Sequence, residues 1–231
     1  MKVTFLSDTH TRQNSLPQLP IGDILIFSGD AMSSGYNPLE LTDFVEWIKD
    51  QPYRYKVCVA GNHDRYCEKS PINQIQDIFN KYYDNGVRYL YNEMVELNGL
   101  KIYGTPYQPY FCGWAFNVPD KKDLYKIYKK IPKNLDILVT HCPPYDILDK
   151  SHYPRPFYGK TGEEPLGSEE LLKVLDELGE FKPRFHSFGH IHGDGGNIVQ
   201  KGKTTYINAS VCDEEYNPVN KIITLDIEPN L

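Results

Sequence analysis

Short apolar runs recur along the chain and alternate with stretches whose apolar residues repeat every three or four positions. Residues 2–6, 24–28, 56–60, 136–140 and 185–188 read as buried strands, because a short continuous apolar run covers both faces of a strand inside a sheet. Residues 38–49, 71–82, 122–129 and 168–178 read as helices. Pro38 and Pro71 fit a first helical turn, where a missing N–H costs little, and Ser168 ahead of Glu170 and Leu171 fits a helix start. Residues 93–97 and 100–103 flank Asn98-Gly99, a pair that accepts positive φ at both central turn positions, so a hairpin is expected. A second hairpin is expected from 197–200 and 203–208 around Lys201-Gly202, and 220–227 supplies a last strand. Together these predict an α/β sandwich of two stacked sheets with mixed strand directions and helices outside. No repeat, low-complexity tract or linker divides the chain, so residues 1–231 read as one domain. The stretch 143–167 carries Pro143, Pro144, Pro154, Pro156 and Pro165 and reads as a long loop, either a lid or a surface excursion.

Composition narrows the possibilities. With 40% apolar and 24% charged residues, the chain can bury a core and is not expected to be disordered. A net charge of −6 opposes binding of long nucleic acid, whose phosphates need an excess of Lys and Arg. The apolar stretch 3–6 is too short for a leader, and no run reaches membrane-spanning length. Cys58, Cys67, Cys112, Cys142 and Cys212 are odd in number and form no Cys-x-x-Cys pair. They read as reduced thiols of a cytoplasmic protein.

Candidate chemistry sits at the ends of the apolar runs. The first strand runs into Asp8-Thr9-His10, the second into Asp30, and the third into Asn62-His63-Asp64. The fourth ends at His141 and the fifth at His190-Ile191-His192. In open α/β sheets the crevice beyond the strand carboxyl ends is where ligands bind. His10, His141, His190 and His192 offer nitrogen; Asp8, Asp30 and Asn62 offer oxygen. That mixture suits Mn, Fe, Zn or Ni better than Ca or Mg. Two ions roughly 3.5–4 Å apart need a shared ligand, and Asp30, alone after its glycine, is the expected bridge. Two-residue spacing in Asp8/His10 and His190/His192 would place each pair on one face of an extended chain. Two divalent ions offset by two carboxylates leave positive charge for an anion such as a phosphate ester.

These motifs in this order resemble the signature of the calcineurin-like metallophosphoesterases. The resemblance covers nearly the whole chain. It is nearest to the metallophosphoesterase-domain-containing subgroup, related to class III cyclic-nucleotide phosphodiesterases, through Ser7–Arg12, Gly22–Leu25, Val59–His63, Tyr103–Pro106, Trp114–Asn117 and Thr205–Ser210. It implies a four-layer sandwich of two mixed sheets flanked by helices. It also implies that Asp8, His10 and His192 hold a first metal, Asn62, His141 and His190 a second, and Asp30 bridges. His63 would contact the phosphate and protonate or stabilise the leaving oxygen, with Asp64 orienting it. The nucleophile would be a metal-bridging hydroxide attacking in line. Some relatives carry Gly in place of His190; its presence here implies a competent dinuclear centre, with Mn the expected metal.

The expected substrate is a small phosphodiester, with cyclic nucleotides as one class. A phosphomonoesterase or protein phosphatase, and a catalytically weak metal- and nucleotide-binding regulatory protein, are the alternatives. Tyr107, Tyr110, Phe111, Trp114 and Phe116 could stack a nucleobase or simply pack, and Arg12 could meet a phosphate. His152 and His186 carry no expected role.

Overall fold

The computed structural model describes residues 1–152 and 165–229. In chain order the strands are β1 (Lys2–Leu6), β2 (Gly22–Phe27), β3 (Tyr53–Cys58), β4 (Val87–Tyr89), β5 (Glu93–Leu97), β6 (Leu100–Thr105), β7 (Gln108–Pro109), β8 (Asn117–Val118), β9 (Ile137–Thr140), β10 (Phe185–Phe188), β11 (Asn197–Lys201), β12 (Thr204–Asn208) and β13 (Ile223–Asp226). The helices are α1 (Pro38–Lys49), α2 (Arg65–Lys69), α3 (Ile72–Asn80), α4 (Lys121–Tyr128) and α5 (Glu169–Leu178).

Side-chain alternation within the strands builds the layers. Val3 and Phe5 of β1, Ile24 and Ile26 of β2, and Ile137 and Val139 of β9 share one buried cluster. Leu6, Leu25 and Phe27 turn the other way, onto Leu41, Phe44 and Ile48 of α1 and Ile75 of α3. Leu138 of β9 meets Leu124 of α4 and Leu171 and Leu175 of α5. A pleated strand alternates faces, so each strand serves the inter-sheet core and one outer helical layer. The first sheet has the order β13-β1-β2-β3-β4, and the second β11-β12-β10-β9-β6-β5. β1 to β4 are parallel, as are β12, β10, β9 and β6; β13, β11 and β5 run antiparallel beside them. This is the expected four-layer arrangement.

The local differences have physical causes. The third strand starts at Tyr53 and ends at Cys58 rather than spanning 56–60, because Tyr53 pairs with Gly22 at a half-exposed end that lacks an apolar run. Pro71 caps α3 from outside it, and the helix ends at Asn80. The five residues of α2 are too few to show a period. The Asn98-Gly99 turn forms as expected, with φ of 51° and 81°. In the later hairpin Lys201 pairs with Thr204, which moves the turn one residue on to Gly202-Lys203.

Residues 153–164 of the expected loop lie outside the described residues. Its base is pinched by Asp149, whose Oδ2 accepts from the backbone N–H of Asp146 (2.9 Å) and of Gly167 (2.8 Å). The five cysteines are free thiols, and all but Cys112 are buried. Among the described residues no helix is long and apolar enough to cross a membrane.

Candidate metal centre

The parallel strands of both sheets deliver their carboxyl ends to one place, and there the backbone turns sharply. Asp8, His10, Asp30 and His190 all sit at positive φ, from 43° to 67°. A non-glycine residue in that region costs of order 1–3 kcal/mol and needs surroundings that enforce it. Here the enforcement is hydrogen bonding. Asp8 N–H donates to Gly29 O (2.8 Å), His10 N–H to Asp30 O (3.1 Å), and His190 N–H to both carboxylate oxygens of Asp8 (3.2 and 3.1 Å). The two-residue spacing therefore works through tight turns, not through an extended chain with one face. Close approach also requires glycine at two positions. A Cβ on Gly189 would lie 2.0 Å from Asp8 Oδ2, and one on Gly61 would lie 2.2 Å from Asp30 Oδ1.

Two groups of donor atoms result. In the first, Asp8 Oδ1 lies 3.4 Å from His192 Nε2 and 3.8 Å from His10 Nε2, and the two Nε2 atoms are 3.2 Å apart. In the second, Asn62 Oδ1 lies 2.8 Å from His141 Nε2 and 2.7 Å from His190 Nδ1. Asp30 Oδ2 belongs to both, 3.7 Å from His10 Nε2 and 3.4 Å from His141 Nε2. His190 and His192 thus face different groups although only one residue separates them.

The tautomers show what these groups are suited to hold. Nδ1 of His10, His192 and His141 lies against the carbonyls of Met32 (3.2 Å), Asp213 (2.7 Å) and Ser28 (2.9 Å). A carbonyl only accepts, so each Nδ1 carries the hydrogen and each Nε2 of a neutral ring presents a bare lone pair. Two such lone pairs face each other across 3.2 Å at His10 and His192. His141 Nε2 likewise faces an acceptor, Asp30 Oδ2. Protons or cations must lie between them.

Burial pushes His10 and His190 down to about 3, so both are neutral near pH 7. Burial acts on His141 and His192 too, but the carboxylates of Asp30 and Asp8 outweigh it and raise them. Conversely, burial would raise Asp8 and Asp30, and His192 and His141 hold them below the usual carboxylate range. A metal needs ionised carboxylates and neutral imidazoles, so the carboxylates are ready and the protons favoured on His141 and His192 would be displaced as ions bind. The groups Asp8/His10/His192 and Asp8/Asp30/His141 each have ligand atoms within 4.8 Å of one another. The donor set therefore fits a pair of metal ions. Asp8, His10 and His192 would hold one, Asn62, His141 and His190 the other, and Asp30 both.

His63 stands beside this centre. One of its ring nitrogens lies within 4.8 Å of ligand atoms of His10 and Asp30. Its backbone N–H donates to Asp30 Oδ1 (2.7 Å), and its Nδ1 pairs with the Ser33 carbonyl. Asp64 does not orient this ring. Its carboxylate is buried and accepts three backbone N–H groups, from Gly61 (2.7 Å), Met32 (2.9 Å) and Asp30 (3.0 Å). The ring is steered by a carbonyl and the carboxylate is used up on backbone, so the expected pairing of the two side chains is not made. Burial and the Asp30 charge push the Asp64 carboxyl up, against the bonds from Gly61 and Met32.

The aromatic residues do not form one platform. Phe116 is buried, the Tyr107 hydroxyl bonds that of Tyr91, and Tyr110 is exposed. Phe111 meets His190 edge-on at 5.8 Å, and Trp114 stacks on His63. Arg12 is exposed. His152 lies 3.4 Å from Asp194, and His186 is buried against Thr140. Some contributors leave no trace in the sequence: the carbonyls of Met32, Asp213 and Ser28, because any residue type supplies a carbonyl, and the ring of Tyr216, 4.7 Å from His10 and 5.4 Å from His192.

Asp, Asn and His side chains gathered at the strand ends of two stacked mixed sheets fit the class of metal-dependent hydrolases. The profile of the calcineurin-like phosphoesterases matches residues 1–194, and the chain belongs to that family. It is 37% identical over 239 residues to Metallophosphoesterase domain-containing protein 1 of Homo sapiens, and equally to that of Mus musculus, covering 96% of this chain and 69% of each relative. Its fold is also that of phosphopantetheinyl hydrolase from Mycobacterium tuberculosis, with a TM-score of 0.56 at 14% identity over 99% of this chain and 96% of the other. The family makes this chain a metal-dependent phosphoesterase.

Proposed function

We propose that the protein hydrolyses small phosphodiesters, cyclic nucleotides among them, at a centre of two metal ions, with manganese as the working metal. The observation that carries this reading is Asp30 Oδ2, which lies within 3.7 Å of His10 Nε2 and 3.4 Å of His141 Nε2 and so joins the two donor groups. Two bound ions would supply positive charge for the phosphoryl oxygens and make water a nucleophile near neutral pH. The chain supplies the rest. Asp8 and Asp30 are the carboxylates among the proposed ligands, so two divalent ions leave net positive charge for an anionic ester. Water's oxygen joins phosphorus as the ester P–O bond breaks in line, and the leaving oxygen takes a proton. His63 would give it in the imidazolium form, from Nε2, since Nδ1 is held by the Ser33 carbonyl, and solvent would restore that proton after release. The acidic chain favours a small substrate over long nucleic acid.

The test compares bis(p-nitrophenyl) phosphate with p-nitrophenyl phosphate under manganese. Diester turnover that needs metal and is lost in Asp30→Ala supports the reading. A strong preference for the monoester moves the assignment to a phosphomonoesterase, and unimpaired turnover in Asp30→Ala rules out the two-metal reaction.

A further inference from the structure

We propose that Trp114 is a positioning residue for His63, holding the imidazole in line through a stack that Arg65 completes. The His63 and Trp114 ring centroids are 4.1 Å apart with planes at 23°. That is a stacked pair; among the described residues the other rings around His63 meet it edge-on, His10 at 4.6 Å and 81° and Tyr216 at 6.1 Å and 62°. The guanidinium carbon of Arg65 lies 4.3 Å from the Trp114 ring centroid and 5.1 Å from that of Tyr36. Arg65 Nη1 also donates to the Gly113 carbonyl at 3.1 Å, so one side chain fixes both the indole and the loop that carries it.

The loop is tied to the segment it braces. Ala115 N–H donates to Asn62 O (3.1 Å) and Phe116 N–H to Glu68 Oε1 (2.6 Å). On the other side, Gly35 packs so tightly that a Cβ there would fall 1.8 Å from the His63 carbonyl oxygen, and its own carbonyl accepts from Tyr66 N–H at 2.6 Å. The backbone of His63 is thus clamped, and a single hydrogen bond, from Nδ1 to Ser33 O, holds the ring about its Cβ–ring bond. That torsion is soft and roughly two-fold in histidine. The stacked indole narrows it from the ring face. Trp114 is therefore committed to His63 and Arg65, and is not free to stack a nucleobase.

The kinetic part of this proposal rests on the phosphoester reading; the structural part does not. A positioned acid matters most when the leaving group is poor. The experiment measures kcat and KM for methyl p-nitrophenyl phosphate and methyl phenyl phosphate with wild type, Trp114→Leu, Trp114→Phe, His63→Ala and the Trp114→Leu/His63→Ala double variant. Misplacing a reacting group by a fraction of an ångström to one ångström costs up to roughly 100-fold, so Trp114→Leu is expected to lose about 10- to 100-fold in kcat on the phenyl ester with KM little changed. The nitrophenyl ester should be affected far less, Trp114→Phe should recover most of the rate, and Trp114→Leu should add nothing to His63→Ala. Equal losses on both esters, or additive losses in the double variant, overturn the proposal. A second measurement needs no turnover: in metal-free protein the His63 ring protons should carry a ring-current shift that Trp114→Leu abolishes while the His141 signals stay put. Unchanged His63 shifts overturn the proposal even if the variant is slow. If wild type cleaves neither ester, the reading of the reaction fails and the ring-proton comparison alone decides the stack.

Discussion

The Asp64 carboxylate accepts the backbone N–H of Asp30 at 3.0 Å while also accepting from Gly61 and Met32, so one buried side chain ties together the two turns that carry Asp30 and Asn62. A residue read as an accessory to catalysis is thereby a fixture of the ligand scaffold.

Asp64→Asn should weaken the scaffold without freeing the His63 ring. One of the two oxygens becomes an NH2 group facing backbone donors, and leaving such donors unsatisfied costs about 1–3 kcal/mol. A lower melting temperature and weaker metal binding are expected, with the Ser33–His63 pairing intact. Calorimetry with a metal titration checks this; unchanged stability would contradict the role given to Asp64.

His190→Ala should separate the two metal positions. It removes a partner of Asn62 Oδ1 and leaves Asp8, His10, His192 and Asp30 in place. Elemental analysis should find one tightly held ion per chain instead of two, with turnover reduced roughly 100-fold or more given the charge the second ion contributes. Retention of both ions would place His190 outside the ligand set.

Asp213→Ala should loosen the first position from a distance. The Asp213 side chain accepts from Glu215 N–H (2.9 Å) and Asn217 N–H (2.8 Å), closing the turn whose carbonyl receives His192 Nδ1. Partners that orient a ligating histidine are worth roughly 10- to 100-fold in metal affinity. Competition against a chelator measures the loss, which should fall on the ion held by His192.

His186 should make stability depend on pH in a defined window. It is fully buried, and burial lowers it from 6.5 to about 3 in the folded chain. The folded state therefore binds fewer protons than the unfolded state between those values, and stability falls as pH drops through 6.5 toward 3. The slope from one such group is about 1.4 kcal/mol per pH unit. Above 6.5 both states are neutral and the contribution is complete; below 3 both are protonated and nothing more is lost. In His186→Gln this part of the acid sensitivity should vanish, so denaturation curves of variant and wild type should converge as pH falls. Parallel pH dependence in the two proteins would show that His186 is not the group responsible.

The gathering of the candidate ligands is legible because the metal-capable residues lie at the ends of apolar runs, and parallel strands bring their carboxyl ends together whatever their distance in sequence. Asp8, Asp30 and His141 needed only that rule. The helical layers were legible for the same kind of reason, since α1 and α5 repeat apolar residues at helical spacing. What escaped lacked a local signature. Asp64 looks identical in sequence whether it points at an imidazole or at three amides. The carbonyls of Met32 and Asp213 carry no residue identity. The turn of the later hairpin moved by one residue because Lys201 can end a strand as readily as begin a turn. Trp114 reads in sequence as one aromatic among several, since its contact with His63 spans 51 residues and depends on Arg65 in a helix too short to show a period.

The left-handed backbone at Asp8, His10, Asp30 and His190 has a consequence for how metal enters. Those conformations are enforced by hydrogen bonds among the protein's own groups, so the cage is preorganised before any ion arrives. Little ordering entropy then opposes loading, and the free energy of coordination goes into affinity instead of into shaping the site. Such a cage does not have to refold to be reloaded after chelation. Its fixed donor spacing favours ions whose size and preferred geometry match it, and supply decides among those.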